Sequence, residues 1–256
     1  MNDVLRSEWT KLRSLRSTWM TLLCTAALGI GLGALIAHGR AVAYLSATPE
    51  DQATFDPAAT SLTSIVIAQL AIGVLGVLVM TSEYATGMIQ PSLTVVPRRG
   101  RLYAAKVLVF GALALVSGQV IGFVSFFLGQ AVIADVGAPH ASLGEPEVLR
   151  AVVGCGLYLA VLGLFGLALG ALVRATAGAL ALLVTLTLLV RLLSAALPQS
   201  WQAWMNRFWP TTAGDKITTV VPVPDTLAPW AGFGLLAAFT AVFLIGGYTL
   251  LRTRDA

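Results

Sequence analysis

The chain has 256 residues, of which 57% are apolar and 11% are charged, and its formal net charge is +4. Soluble domains carry roughly 25% charged residues, so this composition excludes a soluble globular protein and indicates a polytopic membrane protein. The basic residues lie in short segments beside apolar runs rather than in one patch, which argues against nucleic-acid binding.

Residues 1–17 have the pattern of a basic amphipathic helix. Apolar residues recur every three or four positions and basic residues take the other face. The apolar set is Leu5, Trp9, Leu12, Leu15 and Trp19, and the basic set is Arg6, Lys11, Arg13 and Arg16. A cleaved signal peptide is the competing interpretation, but the apolar run that follows exceeds the ~7–15 residues of a signal-peptide core. We therefore predict an uncleaved elbow helix in the membrane interface.

Six apolar segments are long enough to cross a membrane, which predicts an all-α protein with a single transmembrane domain over residues 18–256. The predicted spans are about residues 18–38, 60–82, 104–130, 150–173, 177–197 and 230–250. Three spans carry glycines four residues apart, a spacing that predicts close helix packing. These pairs are Gly29/Gly33, Gly118/Gly122 and Gly166/Gly170. Asp56 followed by Pro57 predicts the start of the second helix, with the aspartate as N-cap.

The second span ends with an acid in an unfavourable place. Glu83 stands near the C-terminus of the predicted helix, where the helix dipole favours cations, so it needs a positively charged partner. We expect this partner to come from the elbow helix, from the following loop or from another protein. The candidates within the chain are Arg13, Arg16, Arg98 and Arg99.

The loop after Glu83 is polar and basic. Gly87 permits a break in the helix, Met88 and Ile89 supply an apolar pair, and residues 97–101 turn the chain back towards the third span. Two interpretations are open: a docking element for a partner protein, or a basic loop that anchors two helices to anionic lipid.

The segment before the last span is rich in aromatic residues. On a helix, Trp201, Trp204 and Phe208 share one face, with polar residues on the other. One interpretation is a short helix buried partway into the membrane interface, and the other is an aromatic belt that marks the membrane boundary.

The charges predict the orientation of the chain. With six spans both termini lie on the same side, and that side holds most of the 16 basic residues, whereas most of the 12 acidic residues lie on the other. The positive-inside rule places both termini in the cytoplasm. Arg191, in the outer third of the fifth span, is expected to extend outward or to line an internal polar path.

Several kinds of chemistry are not indicated. There is no GxxxxGK[ST] phosphate loop, and the spans contain essentially no acidic residues, which weakens the case for an ion-coupled carrier. The main polar side chains within the spans, Gln69 and Gln119, are expected to form hydrogen bonds between helices. Cys24 and Cys155 fall at different predicted depths and should remain free thiols. We expect neither a metal site nor a catalytic set, and so no enzyme.

Four segments together resemble a known family. They are residues 7–19, Glu83-Tyr-Ala-Thr-Gly-Met-Ile89 with Leu93, residues 97–106 and Pro210-Thr-Thr-Ala-Gly214. They resemble ABC-2 type exporter permeases, the membrane subunits of bacterial two-component ABC exporters. The resemblance implies a multi-pass protein of the bacterial plasma membrane that pairs with a second permease copy and with ATPase subunits. ATP and magnesium would be bound by the ATPase, with no cofactor in this chain.

The resemblance also implies roles for particular residues. A short coupling helix in the first cytoplasmic loop and the elbow helix would contact the ATPase, and a re-entrant helix before the last span would lie near an outer gate. The coupling residues would be Glu83, Tyr84, Thr86, Gly87, Met88, Ile89, Leu93, Arg98 and Arg99. The elbow-helix residues would be Trp9, Lys11, Arg13 and Arg16, and the gate residues Trp201, Trp204 and Phe208. Gln90-Pro91 departs from the family pattern, in which a basic residue followed by a helix-compatible residue is expected, and Pro91 shortens the coupling helix.

Two functional hypotheses follow. In the first, the chain is a transport conduit, without chemistry of its own, that alternates access when a partner hydrolyses ATP. Its apolar walls without buried charge would suit lipid-like or amphipathic substrates. In the second, it is an ATP-independent membrane scaffold or assembly factor whose basic loops recruit a cytosolic protein.

Overall fold

Six of the helices are long and apolar enough to span a membrane, as predicted. The computed structural model describes residues 2–14, 16–87, 99–194 and 196–253, which form helices and connecting turns without a β-strand. Spans 1 to 6 are Leu22–Leu45, Pro57–Ala85, Arg99–Asp135, Val148–Val173, Thr176–Ser194 and Pro229–Thr253. The elbow helix, Asn2–Ser14, precedes the helix Arg16–Leu45 that contains span 1.

Several helices extend beyond the predicted spans. Span 3 has 37 residues, which corresponds to roughly 55 Å at ~1.5 Å per residue, against ~30 Å for the hydrocarbon core. Hydropathy marks only the part of a helix that lies in lipid, whereas the backbone hydrogen bonds continue through polar residues at both ends. The long helices therefore carry their terminal side chains beyond the membrane core.

Span 4 forms the centre of the bundle. It packs against spans 2, 3 and 6, and 78% of its apolar window is buried, compared with 17% for span 5. Glycines permit this close packing: a Cβ added at Gly166 would lie only 2.1 Å from the carbonyl oxygen of Gly73 in span 2. Gly118 of span 3 approaches the backbone of Gly156 in the same way. The predicted role of the glycine pairs is confirmed.

Buried polar side chains hold the spans in register. Gln69 of span 2 accepts a hydrogen bond of 2.8 Å from the hydroxyl of Tyr158 in span 4. Gln119 of span 3 donates one of 3.0 Å to the carbonyl of Val153. Both glutamines therefore join helices, as predicted. Cys24 is exposed and Cys155 is buried, and both are free thiols.

The start of span 2 also follows the sequence. Asp56 is the N-cap, and its Oδ1 accepts a hydrogen bond of 2.9 Å from the N–H of Ala59, with Pro57 in the first turn. The other oxygen, Oδ2, accepts hydrogen bonds from the N–H groups of Val220 and Val221. This aspartate therefore also ties the loop before span 6 to span 2, a contact that the helix signal alone did not indicate.

Candidate coupling site at the basic face

One end of the bundle, hereafter the basic face, holds the elbow helix, the end of span 2, the start of span 3, the turn between spans 4 and 5 and the end of span 6. A cluster of four charged side chains joins three of these elements. Lys106 of span 3 donates to Glu83 of span 2 at 2.5 Å and to Glu8 of the elbow helix at 2.7 Å. Lys11 of the elbow helix lies 2.9 Å from each of the same two acids. We call these four residues the ionic cluster.

The ionic cluster is balanced and mostly buried. The side chains of Lys106, Glu8 and Glu83 are 2%, 4% and 9% exposed, and that of Lys11 is 34% exposed. Two acids face two bases, which is the condition under which buried charges are tolerated. Burial lowers the pKa of Lys11, but the hydrogen bonds and negative charges of Glu8 and Glu83 outweigh it, so that the pKa is raised overall. Lys11 therefore stays protonated at neutral pH.

Glu83 has the positively charged partners that the sequence demanded, but they are not the predicted residues. Lys11 and Lys106 contact it, whereas Arg13 is exposed and Arg99 donates instead to span 6. Arg13 lies two positions after Lys11, which rotates it by about 200° to the other face of the elbow helix. Arg99 lies two turns before Lys106, roughly 10 Å nearer the helix end. Two candidates lie outside the described part of the chain: the side chain of Arg16 and the whole of Arg98.

Glu8 and Lys106 were missed as site residues. Lys106 had a usable signal, because a lysine within a predicted apolar helix needs a buried partner. Glu8 had a weaker one: it stands one helical turn before Leu12, so it falls on the apolar face of the predicted elbow helix, and the structure buries both side chains.

Two arginines bind the last turn of span 6. Arg99 donates to the carbonyl of Leu251 and Arg174, in the turn between spans 4 and 5, donates to the carbonyl of Leu250, each at 3.1 Å. Terminal carbonyls of a helix lack partners within the helix and carry partial negative charge, so guanidinium groups stabilise them. Arg174 also lies over the ring of Tyr84, 5.2 Å from its centroid. We call these contacts the arginine clamp.

The helix break after Glu83 is confirmed. Span 2 ends at Ala85, Thr86 is its C-cap, and Gly87 has a φ of 70°, the left-handed conformation that terminates many helices. The hydroxyl of Thr86 donates to the carbonyl of Ser82 at 2.8 Å. The remaining predicted coupling residues, Met88, Ile89 and Leu93, lie outside the described residues.

The aromatic segment at the opposite face is a helix, Gln199–Phe208, as predicted. The aromatic side chains of this helix are not buried by the rest of the chain. Trp201, Trp204 and Phe208 are 63%, 53% and 41% exposed. This aromatic face therefore lies on the surface of the chain. Trp209 instead anchors the segment, because its indole N–H donates to the carbonyl of Leu186 at 3.0 Å. Leu186 lies in a π-helical turn of span 5, which the sequence pattern did not reveal.

The side chain of Arg191, near the end of span 5, is exposed at the opposite face. It pairs with Asp215 at 2.5 Å, and Asp215 lies in the short helix Pro210–Asp215, which follows the helix Gln199–Phe208. Lys216 lies 3.7 Å from the other oxygen of Asp215. Burial raises the pKa of Asp215, although the neighbouring Arg191 and Lys216 charges act against it.

The fold and the site together define a class of protein: a polytopic α-helical membrane protein with a buried ionic cluster at one end. A family described as ABC-2 family transporter protein has a sequence model that matches residues 4–190. The chain therefore belongs to the ABC-2 family of transporter membrane proteins, with a permease role in ABC transport. The matched region contains the whole ionic cluster and both arginines of the arginine clamp, but neither the helix Gln199–Phe208 nor span 6. Among curated proteins, none matches this chain.

Proposed function

We propose that this chain is the permease subunit of an ATP-driven exporter, coupled at its basic face to a separate ATPase subunit. The observation that carries the proposal is the ionic cluster, which joins the elbow helix to spans 2 and 3 on both sides of residues 88–98. Family membership supports the transport role. The positive-inside rule supports a cytoplasmic location for the basic face, where an ATPase has access to it.

The ionic cluster is suited to transmit force. Displacing the elbow helix without spans 2 and 3 would separate Glu8 from Lys106, two buried charges, and removal of one buried partner costs about 3–5 kcal/mol. The three elements therefore move together when either the elbow helix or the adjoining loop is pushed. A scaffold that only recruits a protein has no need for such a connection to two spans.

The arginine clamp extends this connection to the rest of the bundle. Tyr84 follows Glu83 directly and lies against Arg174, which holds the end of span 6 together with Arg99. A movement of Glu83 is thus passed to the turn between spans 4 and 5 and to span 6. In this proposal, a second permease copy completes the path. The exposed faces of spans 1 and 5 contact either lipid or that second copy. The outer aromatic helix then serves the outer gate.

The ATPase proposal is tested by affinity purification of the tagged chain from membranes. We expect an ATPase subunit with a Walker A motif to co-purify, and its absence would favour the scaffold hypothesis. Reconstituted complex then allows transport per ATP hydrolysed to be measured for wild type and Glu83→Gln. We expect the variant to keep ATPase association and hydrolysis but to transport at least about tenfold less per ATP, a loss equivalent to ~1.4 kcal/mol.

A matched control is Glu50→Gln, which removes an exposed acid from the opposite face. This control variant should leave the amount of transport per ATP hydrolysed unchanged. Unchanged transport per ATP in Glu83→Gln would show that the ionic cluster only stabilises the fold.

The orientation is tested by labelling single cysteines from either side of the membrane in a chain without Cys24 and Cys155. A cysteine at Thr253 should be labelled only from the cytoplasm, and one at Ala53 only from outside. Labelling of both from the same side would contradict the six-span topology.

A further inference from the structure

A cavity of about 320 Å³ opens between three loops at the face opposite the basic face. Its wall comes from the loop between spans 1 and 2, the loop between spans 3 and 4 and the loop before span 6. The side chains that give the cavity its chemistry are Tyr44, Phe55, Asp56, His140 and Glu145. This volume lies within the ~300–1,000 Å³ range of small-molecule sites.

Two carboxylates give the cavity a negative potential. Asp56 is 9% exposed, and its two oxygens accept hydrogen bonds only from backbone N–H groups, those of Ala59, Val220 and Val221. These donors are neutral, and no cation of the described residues forms an ion pair with Asp56. Glu145 is exposed at the rim, where its Oε1 accepts a hydrogen bond of 2.7 Å from the backbone N–H of Ser142, and no cation among the described residues forms an ion pair with it. Within the described ranges, no lysine or arginine lines the cavity.

An aromatic corner adds a second recognition element. The rings of Tyr44 and Phe55 have centroids 4.8 Å apart and are tilted by 44°. Gln52 fixes this corner, because its side-chain amide donates to the carbonyl of Tyr44 at 3.1 Å. The faces of aromatic rings carry partial negative charge and attract cations, and this attraction is used to recognise organic ammonium ligands.

A metal ion does not fit this arrangement. Although Asp56, His140 and Glu145 all border the cavity, no three such side chains in the described part of the chain are close enough together to hold a metal. Calcium also requires six to eight oxygen ligands, and an aromatic wall supplies none. A ligand that fills the cavity and carries a diffuse positive charge satisfies both the carboxylates and the rings.

We propose that this cavity is a binding site for a small organic cation with an ammonium head. The carboxylates of Asp56 and Glu145 supply the charge, and the Tyr44–Phe55 corner receives the alkyl-ammonium face. The site does not depend on the ATPase or on transport, so the inference stands apart from the proposed function.

The test uses the full chain, purified without an ATPase in an uncharged maltoside detergent. Binding of choline is titrated by saturation-transfer difference NMR and compared with 3,3-dimethylbutan-1-ol, its uncharged counterpart of the same shape. We expect choline to bind at least about tenfold more tightly than the alcohol, since only the cation gains from the rings and carboxylates.

Two variants locate the binding. Phe55→Leu keeps an apolar side chain but removes one ring face and should weaken choline binding by about 3- to 30-fold. Glu145→Gln should weaken it by about fivefold, as expected for one exposed charge at close range. Glu50→Gln, on the same loop as Phe55 but outside the cavity, should not change choline binding. The proposal is overturned if choline does not bind, if the alcohol binds equally well, or if neither Phe55→Leu nor Glu145→Gln weakens choline binding.

Discussion

The two ends of the bundle hold their charges in different ways. At the basic face, two acids and two bases are largely enclosed and join three elements that are far apart in the sequence. At the opposite face, Asp215 is only 12% exposed, but its partner Arg191 has a side chain that is 46% exposed, and the adjacent Lys216 lies further away. Enclosed pairs are costly to break, whereas exposed ones contribute only ~0–1 kcal/mol. Breaking the ionic cluster should therefore cost more than breaking the Arg191–Asp215 pair, which is open to solvent on its arginine side.

The largest effect should come from removing the most buried cation. Lys106→Met leaves Glu8 and Glu83 enclosed with only Lys11 between them, and we expect a loss of about 3–5 kcal/mol in stability. Thermal unfolding of the purified chain measures this loss. Arg13→Met, an exposed change on the elbow helix, should stay within about 0.5 kcal/mol. An equally small effect for Lys106→Met would mean that the ion pairs at the two ends do not differ in the cost of breaking them.

The next effect concerns span 4, which connects the two ends. In Gly166→Ala the added Cβ would lie 2.1 Å from the carbonyl oxygen of Gly73, so spans 2 and 4 must separate. Overpacking of this kind costs about 1–3 kcal/mol. Gly31→Ala, where nothing lies within 4 Å of the added atom, is the matched control and should not destabilise. Equal melting temperatures for both variants would contradict the close approach of spans 2 and 4.

Lys11 should contribute less than Lys106, because solvent reaches it. Lys11→Met should cost about 1 kcal/mol after allowance for screening. The pKa of Lys11 is raised above its usual 10.5 in the folded state. Its stabilisation is therefore complete below pH 10.5 and is lost as the pH rises through the folded-state value. Wild type and variant should differ by a constant amount between pH 6 and pH 9 and converge in stronger alkali; a difference that fades below pH 9 would contradict this.

The smallest effect is expected at the opposite face. Asp215→Asn should change stability by no more than about 1 kcal/mol at neutral pH, because the lost pair offsets the cost of the buried charge. The pKa of Asp215 is raised above its usual 3.8. Folding therefore favours the protonated form, and wild type should gain stability relative to the variant as the pH falls through the folded-state value towards 3.8. Melting curves at several pH values measure this trend, and the opposite trend would show that Arg191 dominates the site.

The sequence by itself determined the number of spans, the glycine faces and the N-cap at Asp56. These features depend on local rules: hydropathy sets the apolar length of a helix, small residues mark close contacts, and an Asp-Pro pair favours a helix start. The sequence also showed that Glu83 needs a positively charged partner. The helix dipole makes the C-terminus partially negative, and this effect is local to the last turn, where Glu83 stands.

Only the tertiary structure decided which residues meet. Lys11 and Lys106 reach Glu83 because the elbow helix and span 3 take particular rotations and depths, and a one-residue rotation of about 100° would have presented other side chains. Trp209 binds Leu186 because of a π-helical turn that no simple periodicity predicts. The cavity at the opposite face likewise arises where three loops converge. Local chemistry states what each residue requires, but the packing of the helices selects the residue that supplies it.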